Sequence, residues 1–125
     1  MTAGPQRNGI VRRLTKRAQF LNAARGTRAG RTGFSLQAIA VETAVPGLGL
    51  TVTKKTGNSP ERNRIKRRLR AAARACGDAF QAQHDYVLVG RREALTLPFS
   101  RVVADLSSAI DKVHAKARDN GTQRS

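Results

Sequence analysis

The segment from Ser59 to Gly77 carries the residues whose types and spacing most clearly indicate a chemistry. At 100° per residue, one side of a helix through this segment is apolar: Ile65, Leu69, Ala72 and Cys76. The opposite side carries a basic ridge, defined here as Asn63, Arg67, Arg70 and Arg74, which Arg64 and Lys66 flank. No carboxylate occurs between Arg62 and Gly77. Solvated helix faces normally intersperse carboxylates, and unpaired like charges cost stability, so the pattern indicates a bound polyanion.

The overall charge points to the same kind of partner. Lys and Arg number 24 against 8 Asp and Glu, a net charge of +16. Nucleic acid is the leading candidate, because phosphate neutralisation rewards clustered cations whatever the base sequence. An anionic membrane surface is the other option, but no apolar run has the length of a membrane span and the chain does not open on a secretion signal. We therefore predict a cytoplasmic protein with no membrane partner.

Two further features have the chemistry of an RNA contact. Lys54, Lys55 and Asn58 precede the basic helix, whose free N-terminal N–H groups favour anions. Phe20 is an aromatic residue with basic neighbours, and such residues stack on unpaired bases in proteins that bind single strands. Packing of Phe20 against a sheet explains its spacing equally well, so both interpretations stay open.

Residues that could cleave a phosphodiester bond are not evident. Asp78, His84 and Asp85 lie close in sequence, but they form neither paired carboxylates nor a histidine-based triad. The lone Cys76 and two distant histidines have no metal-ligand spacing. We predict no catalytic residue and no metal site, so any nuclease chemistry would have to lie outside this chain.

The elements that must position these residues follow from apolar periodicity and turn signals. Helices are predicted over 15–25 with Thr15 as cap, from Ser59 as cap to Gly77, and beyond Thr96 as cap. Strands are predicted over 34–41, 48–55 and 86–89, with a possible extra strand over 28–31. The length suits one domain, folded over about 12–117, with residues 1–11 and 118–125 as mobile tails.

The stretch from Gly49 to Arg70, GLTVTKKTGNSPERNRIKRRLR, resembles the signature of the bacterial ribonuclease P protein component. The Arg62-Asn63-Arg64 triplet is its core, and the similarity extends over roughly residues 12–113. The resemblance implies an α+β fold in the order αβββαβα, with the extra strand near 27–31. It also implies a four-stranded sheet packed by helices and an unusual left-handed crossover.

The resemblance also implies a function, that of the protein subunit of ribonuclease P. This subunit assists removal of the 5′ leader from precursor tRNA, while the RNA subunit carries the endonucleolytic catalysis with bound Mg²⁺. The contacts to the RNA subunit would fall on Lys54, Lys55, Asn58, Arg62, Asn63, Arg64, Lys66, Arg67, Arg70 and Arg74. The leader would lie in a cleft between helix one and the sheet, lined by Phe20, Phe34, Thr51 and Thr53. Relatives often carry aromatic residues where this chain has Ala24 and Gln37.

Two other functions explain the charge without cleavage. A structural RNA-binding protein of the ribosomal type is the alternative, and only the ordered signature discriminates against it. A DNA-compacting protein is the third possibility, which competition between duplex DNA and folded RNA would test.

Overall fold

The computed structural model describes the backbone of residues 11–124 and the side chains of residues 11–117. The helices and strands, in chain order, are β1 (Arg12–Arg13), α1 (Arg17–Ala24), β2 (Thr27–Gly30), β3 (Phe34–Ala40), β4 (Gly47–Thr51), α2 (Ser59–Ala75), β5 (His84–Gly90) and α3 (Phe99–Arg124). Short 3₁₀ turns lie at Lys54–Thr56, Gly77–Ala79 and Arg92–Leu95. The α+β class and the predicted order of the main elements are confirmed.

The strands form one mixed sheet in the order β1-β4-β5-β3-β2. β4 pairs with β5 in parallel, and β3 is antiparallel to both β5 and β2. The prediction of four strands is wrong by one, because β1 adds a short parallel pairing beside β4. The main chain extends this pairing, since Arg12 N donates to Pro46 O and Leu14 N donates to Leu48 O.

The sheet separates α1 from the other two helices. On one face, the buried side chains of α2 and α3 join Phe34, Leu36 and Leu88 in the larger core. On the other face, α1 covers a smaller cluster that includes Ala23 and Val87. β5 lies in the middle of the sheet, so its central residues, an almost wholly apolar run, are buried on both faces.

The helix α2 is the crossover between the parallel strands β4 and β5, as the resemblance implied. Its apolar stripe is buried, with Ile65 and Leu69 fully inaccessible. Gly90 lets this helix approach closely, since a Cβ there would lie 2.7 Å from Ile65 Cγ2 and 2.9 Å from Val52 Cγ2. The hand of the crossover stays a prediction.

Several predicted boundaries are wrong, for local reasons. Lys16 rather than Thr15 caps α1, and the Gln19 side chain accepts from the main-chain N–H groups of both residues. The strand predicted over 48–55 ends at Thr51, because the chain turns into a 3₁₀ segment at Lys54.

The other two helices also begin at different residues. Asn58 caps α2, so Ser59 is its first residue and not its cap. Thr96 ends the 3₁₀ turn after β5, and α3 begins only at Phe99. The α3 backbone continues to Arg124, past the predicted end of the fold at residue 117. The rest of the predicted tails, residues 1–10 and Ser125, lies outside the described residues. Within the described part, no helix has both the length and the apolarity needed to span a bilayer.

The packing of α2 yields a first prediction. Leu69→Ala should lower the free energy of unfolding by about 2–5 kcal/mol, because it leaves a cavity under a fully buried side chain. Leu21→Ala is the matched control, since Leu21 is 54% exposed and should change stability by no more than about 0.5 kcal/mol. Urea unfolding of both variants measures the difference. Equal losses would contradict the burial assigned to the apolar stripe.

Candidate nucleic-acid interface

The start of α2 is held by a reciprocal pair of hydrogen bonds. Asn58 Oδ1 accepts from Glu61 N at 2.9 Å, and Glu61 Oε1 accepts from Asn58 N at 3.0 Å. This capping box satisfies a main-chain donor of the first turn that would otherwise lack a partner. The Asn58 side chain, predicted to contact RNA, is thus engaged in capping although the residue is exposed.

A bidentate ion pair ties the same turn to the segment after β5. Arg92 Nη1 and Nη2 donate to the Glu61 carboxylate at 3.0 and 2.8 Å, and Nη1 also donates to Thr56 O. The hydrogen bonds from Arg92, and then the one from Asn58, lower the pKa of Glu61 to about 2. The pair raises the pKa of Arg92 in turn. Sequence reasoning missed this brace because its partners are 31 residues apart.

The basic ridge faces outward along α2. Asn63, Arg67 and Arg74 are exposed, and Arg70 is half-buried. Among the described residues, none of the ridge arginines forms an ion pair with a carboxylate. Of the two flanking residues, Arg64 is exposed and Lys66 is half-buried. Neither forms an ion pair with a carboxylate of the described residues. The predicted separation of an apolar and a basic side is therefore confirmed, and the ridge charges stay uncompensated by the protein.

Two arginines of α2 have structural partners instead. Arg62 Nε donates to Gly57 O at 3.2 Å and its Nη2 donates to Ser59 Oγ at 3.0 Å, so its side chain folds back over the helix start. Arg68 lies outside the ridge, and its Nη2 donates to the carbonyl oxygen of Leu97. Arg68 is therefore not part of the ridge.

The predicted lysines lie in the 3₁₀ turn between β4 and α2. Lys54 and Lys55 are both exposed there. The Thr53 and Thr56 hydroxyl groups, 3.3 Å apart, close this turn. The two lysines and the start of α2 thus follow one another at the same end of the sheet, which brings together the two parts of the site predicted from sequence.

A groove with cationic walls separates β1 from α2. It encloses about 330 Å³, and its walls carry Arg12 and Arg13 on one side and Lys66, Arg70 and Arg74 on the other. Arg12 is also paired with the buried carboxylate of Asp85. Sequence reasoning missed the contribution of Arg12 and Arg13, because only the pairing of β1 with β4 brings residues so distant in sequence beside α2.

The face of the sheet under α1 holds three of the four predicted leader residues. Phe20 lies over Gly49, where an added Cβ would come within 2.7 Å of two ring atoms. Thr51 follows on the same face by strand alternation and is half-buried, and Thr53 beyond it is exposed. Phe20 is itself only partly buried, packed against the small cluster under α1, so part of its ring stays accessible.

The placement of Phe34 in this cleft is wrong. Its side chain is 1% exposed and belongs to the larger core on the opposite face, with α2 and α3. The residue pattern itself favours the core, because apolar Phe34 and Leu36 alternate with polar Ser35 and Gln37 along β3. The placement in the cleft rested on the family resemblance alone. Ser35 and Gln37 take the α1 face instead, and both are buried.

The acidic and histidine residues near β5 have structural partners. Asp85 pairs with Arg12, and the His84 Nδ1 atom lies 2.9 Å from Ala82 O. Tyr86 Oη contacts His114 Nε2 at 2.6 Å, and burial raises the pKa of Tyr86 to about 12. Within the described residues, no group of three His, Cys, Asp or Glu residues could hold a metal ion.

The fold and the site define a small basic α+β protein whose main surface is suited to a polyanion, and comparisons with known proteins specify the family. The family described as Ribonuclease P matches residues 11–114. The Ribonuclease P protein component of Ruegeria pomeroyi is 43% identical over 107 residues, covering 82% of this chain and 86% of the relative. That of Brucella melitensis is 38% identical over 125 residues, covering 91% and 87%.

Solved structures agree with this assignment. The RNase P protein from Thermotoga maritima has a TM-score of 0.66 at 25% identity, covering 75% of this chain and 90% of that one. The Staphylococcus aureus RNase P protein has the same TM-score at 24% identity, covering 86% and 96%, which supports the fold. The chain belongs to the ribonuclease P protein family, and the resemblance seen in the signature is confirmed.

The depressed pKa of Glu61 yields a second prediction. A carboxyl whose folded pKa is about 2, below its ordinary 4.5, adds stability that is full above pH 4.5 and is lost as the pH falls toward 2. Glu61→Gln should therefore lower the free energy of unfolding most at neutral pH and progressively less below pH 4.5. Denaturant unfolding across this range measures the difference. A difference independent of pH would contradict the pairing with Arg92.

Proposed function

We propose that this chain, as the protein subunit of ribonuclease P, binds the catalytic RNA through the basic ridge and the 5′ leader of precursor tRNA through the α1 face. The proposal rests on one observation. The described carboxylates leave the ridge arginines unpaired, although the helix that carries them is capped and packed against the core. The helix is stabilised by its buried stripe and by the Glu61–Arg92 brace. Among the described residues, the ridge arginines have no ion-pair partner of this kind.

The dimensions of the ridge suit an RNA backbone. From Asn63 to Arg74 the helix rises about 16 Å, at about 1.5 Å per residue, which is long enough to contact several phosphates in succession. Lys54 and Lys55 extend this surface beyond the helix start. Contacts of this kind neutralise phosphates and release counterions, so they supply affinity that depends steeply on salt.

The α1 face has a different chemistry, suited to a single strand. The partly accessible ring of Phe20 offers a stacking surface for an unpaired base. The Thr51 and Thr53 side chains offer hydroxyl groups that can hydrogen-bond to phosphate or sugar. This arrangement supports binding of the leader on the face of the sheet opposite to α2, apart from the contact with the RNA subunit.

Endonucleolytic cleavage in this proposal is performed by the RNA subunit, which uses Mg²⁺ to activate water and to stabilise the leaving oxygen. The protein neutralises charge and positions the substrate, and it acts in the cytoplasm. The engagement of Asp85 and His84 in local contacts supports this division of labour.

The ridge yields a third prediction. Arg67→Ala and Arg70→Ala should each weaken binding to a bacterial ribonuclease P RNA and lower the magnitude of the salt slope by about one unit per lost phosphate contact. The measurement is the RNA dissociation constant over a series of salt concentrations. Arg25→Ala is the control, because Arg25 is an exposed arginine at the end of α1, on the other face of the sheet. A slope unchanged in the ridge variants would refute the ridge contact.

The leader cleft yields a fourth prediction. Phe20→Ala should weaken binding of precursor tRNA to the assembled protein–RNA complex more than binding of mature tRNA, because only the precursor has a leader to stack on the ring. Dissociation constants for the two tRNAs measure this ratio. Equal losses would show that Phe20 serves only to pack α1 on the sheet.

A further inference from the structure

A second group of arginines, none of them part of the ridge, lies toward the β2 edge of the sheet. Arg31, Arg91 and Arg101 line a depression of about 440 Å³ together with Gly30, Thr32 and Asp105. We call the three arginines the edge cluster. They come from the turn after β2, the segment after β5 and the first turn of α3, so only the tertiary fold brings them together.

The hydrogen bonds of Arg31 and Arg91 orient these two members of the edge cluster without neutralising them. Arg31 Nε donates to Ser108 Oγ at 3.1 Å and its Nη1 donates to Gly30 O at 2.7 Å. Arg91 Nη1 donates to Arg31 O at 2.9 Å. All three acceptors are uncharged, so both guanidinium groups keep their full charge in place.

One carboxylate lines this depression. Asp105 pairs with Arg101 at 3.1 Å, in an i, i+4 contact on α3. Three cations therefore share one anion, and the nearby Arg92 is occupied by Glu61. Holding like charges together is unfavourable unless an anionic partner offsets their repulsion, and guanidinium groups are well suited to phosphate oxygens.

The position of the edge cluster indicates how large its anionic partner must be. β2, β4 and β5 are mutually parallel, so Arg31, Lys54 and Arg91 all follow strands that end at the same end of the sheet. In the strand order, β4 and β2 are three intervals apart, about 14 Å at about 4.8 Å per interval. A single phosphate therefore cannot contact both Lys54 and Arg31, and Arg91 follows β5, which lies between these two strands. A folded RNA presents phosphates from different segments at such separations.

We propose that the edge cluster is a second binding site for the phosphate backbone of the RNA subunit, at a segment other than the one bound by the ridge. This inference rests on the proposed function, since it requires the same RNA. The ridge and Lys54–Lys55 would hold one segment beside α2, and Arg31, Arg91 and Arg101 would hold another at the β2 edge. Two separated contacts fix the orientation of the protein on the RNA, which one contact does not.

The test compares charge removal at two places, with a bacterial ribonuclease P RNA as the probe and no tRNA present. The double variant Arg91→Gln, Arg101→Gln should weaken binding and lower the magnitude of the salt slope by about two units. The matched control is Arg17→Gln with Arg25→Gln, which removes two exposed charges from α1. It should leave the slope nearly unchanged. Thermal unfolding of each variant checks that the fold is retained.

A third variant should change the affinity for RNA in the opposite direction. Asp105→Asn removes the carboxylate from the depression and should tighten RNA binding. If the edge double variant behaves like the α1 control, or if Asp105→Asn leaves affinity unchanged, the edge cluster does not bind RNA. The Arg67→Ala and Arg70→Ala variants in the same assay separate the two claims. A loss there without a loss at the edge overturns this inference alone, while no loss at either place overturns the proposed function as well.

Discussion

The burial of one side of α2 against the sheet is the constraint on which the rest of the molecule depends. Ile65 and Leu69 are fully buried against the β4–β5 pair, and Gly90 permits the close approach. Because this contact fixes the rotation of the helix about its axis, it also fixes the direction in which Arg67 and Arg74 point. The surface proposed to bind RNA is thus a consequence of core packing, and the charges need no contacts of their own to be held in place.

Among the described residues, the carboxylates that form ion pairs do so with arginines outside the ridge. Glu61 braces the start of α2 with Arg92, Asp85 anchors an arginine of β1, and Asp105 pairs on α3. Each connects or stabilises elements of the fold. The described carboxylates therefore leave the ridge arginines unpaired, and the electrostatic repulsion along α2 is left for a polyanion to offset. This distribution explains how a chain with a charge of +16 combines a braced fold with a surface of unpaired cations.

The features predicted correctly from the sequence depend on local periodicity. The two sides of α2 follow from the spacing of its own residues, and the buried strand β5 follows from its apolar run. The features that were missed depend on contacts between distant segments, such as the pairing of β1 with β4 and the brace between Glu61 and Arg92. Phe34 was assigned to the wrong face by the family resemblance, although apolar Phe34 and Leu36 alternate with polar Ser35 and Gln37 along β3. The edge cluster was missed for the same reason as β1, since its arginines come from three separate elements.

The most direct test of the central claim is cleavage of a precursor tRNA by a bacterial ribonuclease P RNA at low Mg²⁺, with and without this protein. The proposed function predicts that the protein accelerates release of the 5′ leader, since it offsets phosphate repulsion that Mg²⁺ would otherwise have to screen. It also predicts that the acceleration disappears when Arg67 and Arg70 are both replaced by Ala. Tight RNA binding without any acceleration would contradict the claim and would favour a structural RNA-binding protein.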